Sequence, residues 1–143
     1  MRTAPMAVAL VVAACMPWQP DHSPNSTLFQ VEPRTGNDVV MWVVDETGLV
    51  TSARDADREP AQALEANARP ELKEIDVRWL GGVCRHGPTV TLTGSSDALH
   101  IIVQPDSGPE TFLACPAVGV FYGVTLTLSD PVAQEAIDVR EIR

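Results

Sequence analysis

The 143-residue chain is short of several things that large functional classes require. Positive charge is scarce: ten Lys and Arg face nineteen Asp and Glu, a net of −9 at pH 7, with no basic stretch. A surface so charged repels phosphate backbones and anionic headgroups, which argues against nucleic acid as a partner. Lysine is nearly missing; Lys73 is the only one, and the skew toward Arg fits GC-rich coding rather than function. The apolar run at residues 6–14 is too short to cross a bilayer as a helix. Reactive motifs are missing too: no Gly-rich phosphate loop, G-x-S-x-G elbow, H-E-x-x-H or C-x-x-C occurs. Histidine is limited to His22, His86 and His100. A zinc site would have to gather them with a carboxylate, and their spacing does not suggest it, so they read as surface residues. No metal and no cofactor is implied.

What remains offers weak candidates with ordinary alternatives. Ser95 and Ser96 lie in "TGSSD", where Gly, Ser and Asp are turn formers, so a hairpin turn is expected rather than a nucleophile. Asp55, Asp57 and Glu59 alternate in "DADRE" in the manner of a calcium loop. That stretch lacks the glycine and the distal bidentate Glu, and Arg58 interrupts it; a solvated acidic loop is favoured. Two carboxylates could serve a glycosidase, but nothing singles out a pair among nineteen acids. Trp42 and Trp79 fall in strand-like runs and read as core, whereas Trp18 is expected in solvent.

The first fourteen residues, "MRTAPMAVALVVAA", carry Arg2 and then the apolar run, as a signal peptide does. The run ends in "VAAC", which resembles the bacterial lipobox: an aliphatic residue and small ones before a Cys that becomes the lipidated first residue. The resemblance implies a signal peptide at 1–14, lipidation of Cys15 and a mature charge near −10 once Arg2 is removed. Ordinary secretion, with cleavage after Ala14 or a little later, is the alternative. A buried strand with a core Cys fits poorly with the polar "MPWQPDHSPNS" that follows. Pro17, Pro20 and Pro24 make residues 15–27 read as a tether, with the folded domain at 28–143. Asn25-Ser26-Thr27 is a formal glycosylation acceptor that matters only in a eukaryotic source.

With Cys15 lipidated, Cys84 and Cys115 remain, an even number that suits a disulfide in an exported chain. Closing the loop between them stabilises by roughly 3–4 kcal/mol in the chain-entropy description. The rival is a nucleophilic thiol, since His86 lies two residues from Cys84. Catalytic pairs, however, are set by approach in space rather than along the chain.

From residue 37 onward the dominant period is two, the signature of strands. "DVVMWVVDE" is apolar on both faces and suits a central strand; "DETG" supplies a turn and "GLVTSAR" its expected hairpin partner. "EIDVRWLGG" alternates, with Ile75, Val77 and Trp79 inward and Asp76 and Arg78 outward. "TVTLTGSSDALHIIVQ" reads as a hairpin turning at residues 94–97. "GVFYGVTLTLSD" points Val120, Tyr122, Val124, Leu126 and Leu128 to one side, and "AIDVREI" closes an edge. The exception is residues 55–74, acidic and Ala-rich, where Ala61, Leu64 and Ala68 suggest a short helix or a long loop between Pro60 and Pro70. The expected fold is all-β: an antiparallel, immunoglobulin-like β-sandwich with that one irregular segment.

The pattern "WLGGVC…TVTLTG…LACPAVGVFYGVTLTLSDPV…IDVREI", over roughly residues 79–142, resembles small bacterial lipoproteins and secreted β-rich domains of unassigned activity. The resemblance implies an exported β-rich module and no particular chemistry. The expected function is a lipid-anchored binding or structural module on the outer face of the cell membrane or in the periplasm, or else a secreted one. Its expected partners are the membrane, through the anchor, and an envelope protein or glycan. A small envelope hydrolase with carboxylates not identifiable from sequence is the alternative; an enzyme is the less favoured reading.

Overall fold

The computed structural model describes residues 18–32, 40–56, 63–81, 87–105 and 119–142, and the structural statements below concern those. Alternating and apolar segments there form nine strands: β1 (Thr27–Val31), β2 (Met41–Asp45), β3 (Val50–Asp55), β4 (Glu65–Arg69), β5 (Glu74–Gly81), β6 (Thr89–Ser95), β7 (Ala98–Gln104), β8 (Val120–Leu128) and β9 (Ile137–Glu141). They build two sheets, one in the order β1-β2-β6-β7-β9 and the other β3-β8-β5-β4. The result is an all-β, two-sheet sandwich. Its core is filled from both sheets by Met41, Val43, Ile75, Val77, Trp79, Leu92, Leu99, Ile101, Val103, Val124 and Leu126, each at most 1% exposed. Alternation along the strands turns Ile75, Val77, Trp79, Leu92, Leu99, Ile101, Val103, Val124 and Leu126 to one face, whereas Met41 and Val43 come from the run that is apolar on both. β2, apolar on both faces, is buried at every position, as suits a strand with neighbours on each side.

The pairing is not uniformly antiparallel. β2 runs parallel to β6, and β7 runs parallel to β9. The cause is crossing between layers. After β2 the chain leaves for the second sheet to make β3, β4 and β5, then returns as β6 alongside β2 in the same direction. After β7 it crosses again to make β8 and returns as β9. For the same reason "GLVTSAR" is not the hairpin partner of β2: β3 lies in the opposite sheet and pairs with β8. The Asp45 side chain shapes that crossing, accepting the Thr47 N–H at 2.9 Å and hydroxyl at 2.5 Å on Oδ1 and the Val50 N–H at 3.0 Å on Oδ2. Gly48, at φ +73°, supplies the left-handed residue of the turn. The β6–β7 hairpin turns where expected, with Ser95 opposite Ala98. Gly94, at φ +95°, is required there, because a Cβ would lie 2.1 Å from the Ala98 carbonyl oxygen.

The helix expected within 55–74 is also corrected. Residues 65–69 are strand β4, paired antiparallel with β5 from Glu65–Arg78 to Arg69–Glu74. The Ala and Glu content favours helix locally, yet "EANAR" also alternates, and Ala66 fills the core at 6% exposure while its neighbours stay accessible. Pairing with a buried strand outweighs the weak intrinsic preference. Pro70 then opens a single 3-10 turn, Pro70–Leu72, and Lys73 at φ 53° turns the chain into β5.

Candidate functional site

Residues of β5 alternate between the core and the outer face of the second sheet, so Glu74, Asp76, Arg78 and Leu80 share that face. Register places Thr127, Thr125, Gly123 and Phe121 of β8 beside them, and Arg69, Asn67 and Glu65 of β4 on the other side. Arg54, opposite Thr125, brings β3 into the same face. At one end these side chains form a continuous charged network. Arg54 Nη1 donates to Glu74 Oε1 at 3.1 Å, and Arg69 Nη2 reaches Glu74 Oε2 at 2.9 Å and Asp76 Oδ2 at 2.9 Å. The Thr125 hydroxyl completes it, donating to Asp76 Oδ1 at 2.6 Å. Asp76, read from sequence as an outward residue, does face outward, but its neighbours cover it to 9% exposure. At the other end of the face the cross-strand pair Leu80–Phe121 is left in solvent, 49% and 39% exposed. Beneath it, on the core side, Trp79 stacks on Tyr122 with ring centroids 5.8 Å apart.

A second, smaller cluster lies on the outer face of the first sheet. β9 brings Asp138 opposite His100 of β7. Asp138 Oδ2 accepts from Arg140 Nη2 at 2.7 Å and Nε at 2.9 Å and lies 3.2 Å from His100 Nδ1. The Arg140 hydrogen bond first, and the His100 contact second, hold the Asp138 carboxyl below its ordinary range. All three side chains are well exposed.

Of the residues singled out in the sequence, Cys15, Cys84 and Cys115 lie outside the described residues, as do His86, Asp57 and Glu59. The strands flanking the last two cysteines are described: Gly81 pairs with Val120 at the end of the β5–β8 ladder, three residues before Cys84 and five after Cys115. Asp55 ends β3 and is buried. His22 lies on the surface with Nδ1 2.9 Å from the Pro20 carbonyl, far from His100 in the chain. Ser95 and Ser96 sit at the hairpin turn. Trp42 and Trp79 are buried, whereas Trp18, expected in solvent, is half-buried. Among the described residues no three His, Cys, Asp or Glu side chains are grouped as metal ligands would be.

Sequence reasoning missed the ionic network, the Asp138 cluster and a contact made by Gln134. The Gln134 side chain pairs with the outer edge of β4, accepting the Ala68 N–H at 2.7 Å and donating to the Ala66 carbonyl at 2.8 Å. For the network one signal was present: acids alternate with core residues along "EIDVRW", so Glu74 and Asp76 must share a face. The partners from β3, β4 and β8 could not be named before strand order was known. No family model, no curated protein and no solved structure matches this chain.

Proposed function

We propose that this chain is an exported, lipid-anchored module of the cell envelope that binds or braces a partner, an envelope protein or glycan, through the outer face of the β3-β8-β5-β4 sheet. The observation that supports this is the state of the two acids at the centre of that face's ionic network. Glu74 and Asp76 share one guanidinium, and each has a second partner in Arg54 or Thr125. A hydrolase needs one carboxylic acid to give up a proton and a second, open carboxylate to attack or to activate water. Carboxylates tied into a charge-assisted lattice instead make a rigid, flat, polar surface. The Leu80–Phe121 pair beside it supplies exposed apolar area of the kind that anchors interfaces. Cys15 would hold the module to the membrane; plain secretion is the alternative route to the same compartment.

The test is photo-crosslinking in cells producing the native protein, with the probe at Asn67 and, as the comparison, at Thr93 on the opposite sheet. A discrete crosslink from position 67 that disappears in a Leu80→Ser/Phe121→Ser double variant of unchanged melting temperature supports the reading. Crosslinks from Thr93 alone would move the partner surface to the other sheet. Hydrolysis of envelope glycan that is lost in Glu74→Gln would replace the binding reading with the enzyme.

A further inference from the structure

We infer that the domain does not swing on a long tether but rests against the headgroup layer of the membrane that anchors it, with Trp18 at the contact. The inference builds on the lipid anchor at Cys15 proposed above. Only Met16 and Pro17 separate Cys15 from Trp18. Three residues fully extended span about 10 Å, so the Trp18 backbone can stand no further than that from the lipidated residue. By Trp18 the chain is already part of the folded body: Trp18 is half-buried and partnered, and Pro20 is buried.

The next residues are structured as well. His22 Nδ1 lies 2.9 Å from the Pro20 carbonyl, Ser26 N–H donates to the Ser23 carbonyl at 3.0 Å, and the Ser26 hydroxyl donates to the same oxygen at 2.5 Å. β1 then follows at once, paired with β2 over all five of its residues. Only Cys15, Met16 and Pro17 of the thirteen residues 15–27 therefore precede the described body. The headgroup region on each side of the hydrocarbon core is roughly 5–8 Å deep, so a 10 Å span brings the domain into contact with it. A partly exposed tryptophan is the side chain best suited to that boundary, with an apolar ring and a polar N–H.

The occupant of this surface is the headgroup layer itself, held there by the anchor. A net charge of −9 for the whole chain, near −10 once Arg2 is removed, gives the protein no attraction of its own to anionic lipid, so the acyl chains supply the affinity. The domain without lipid is expected not to bind vesicles.

The experiment uses the native lipoprotein, purified with its acyl chains and reconstituted in phosphatidylcholine vesicles brominated close to the headgroup. Intact mass first establishes whether Cys15 carries lipid; an unmodified Cys15 overturns the anchor, and this inference with it. On lipidated protein, tryptophan quenching is compared among wild type, Trp18→Phe and a variant with a twelve-residue Gly-Ser insert between Pro17 and Trp18. Trp42 and Trp79, 5% and 0% exposed, serve as the silent background. The expected result is quenching of up to roughly a third of the emission, the share of one tryptophan in three, lost in both variants. Near-UV dichroism of the buried tryptophans verifies that both variants fold. Lipidated protein whose emission is quenched equally in wild type and Trp18→Phe, or not at all, overturns the contact while leaving the anchor intact.

Discussion

Asp45 is 1% exposed, yet its carboxylate serves as the internal scaffold of a turn, taking two backbone N–H groups and one hydroxyl. Asp45→Ala leaves those donors buried without an acceptor, and hydrogen bonds to a charged group are worth about 1.5–3 kcal/mol each. The expected loss is about 2–4 kcal/mol in urea unfolding, less than the sum because water enters the opened turn. Asp138 is the contrasting acid, an exposed residue on the edge strand β9 of the same sheet. Its carboxyl is held below the ordinary range, near 3.9, by Arg140 and then His100. A carboxyl with a lowered folded-state value stabilises the fold above the unfolded value, and that contribution disappears as pH falls through the lowered one. Asp138→Asn should therefore lower the melting temperature slightly at pH 7 and not at all in strong acid. High salt should shrink the gap at pH 7, since the group is exposed and screened. A gap that persists in acid would mean that Asp138 acts by packing rather than by charge.

At the scale of elements, the edges of the sheets decide how the sandwich is finished. β4 is the last strand of its sheet, and an open edge invites a strand from another molecule. Gln134, on the approach to β9 of the other sheet, occupies that edge with both ends of its amide. Gln134→Ala should cost about 1–2 kcal/mol, from two hydrogen bonds, and increase self-association in sedimentation velocity. Unchanged association would show that the edge is protected by other means. The β5–β8 ladder carries a second expectation. Because Gly81 pairs with Val120, Cys84 and Cys115 leave neighbouring strands within a few residues of their last pair. Thiol counting on denatured, unreduced protein should then find neither of them reactive; two free thiols would remove the bridge. The strands themselves were legible because period two is written directly in "EIDVRWLGG" and "TVTLTG". β4 was not, because Ala and Glu favour a helix unless a neighbouring strand recruits them, and the pairing of β4 with β5 is invisible to a local reading. Gln134 was hidden for the same reason: nothing in "VAQEA" announces which edge an amide will meet.

At the scale of the molecule, the two layers cannot be assembled in sequence order. β3 is joined to β8 by contacts such as the Thr51 hydroxyl on the Thr127 carbonyl, 76 positions away. β8 is the strand on which the second sheet is built, with β3 on one side and β5 on the other. A chain ending before Gly119 would leave that sheet as the β4–β5 pair alone, with no Tyr122, Val124 or Leu126 to fill the core. Such a fragment should show no cooperative unfolding transition by circular dichroism. The order of synthesis has a consequence for the living cell. Because β8 and β9 follow every other described strand in the chain, the native pairings become available only once residues 119–142 have been made. Closure of such distant pairings is also slow. Until then the earlier strands lack the neighbours that close both sheets, and the polypeptide stays loose and threadable.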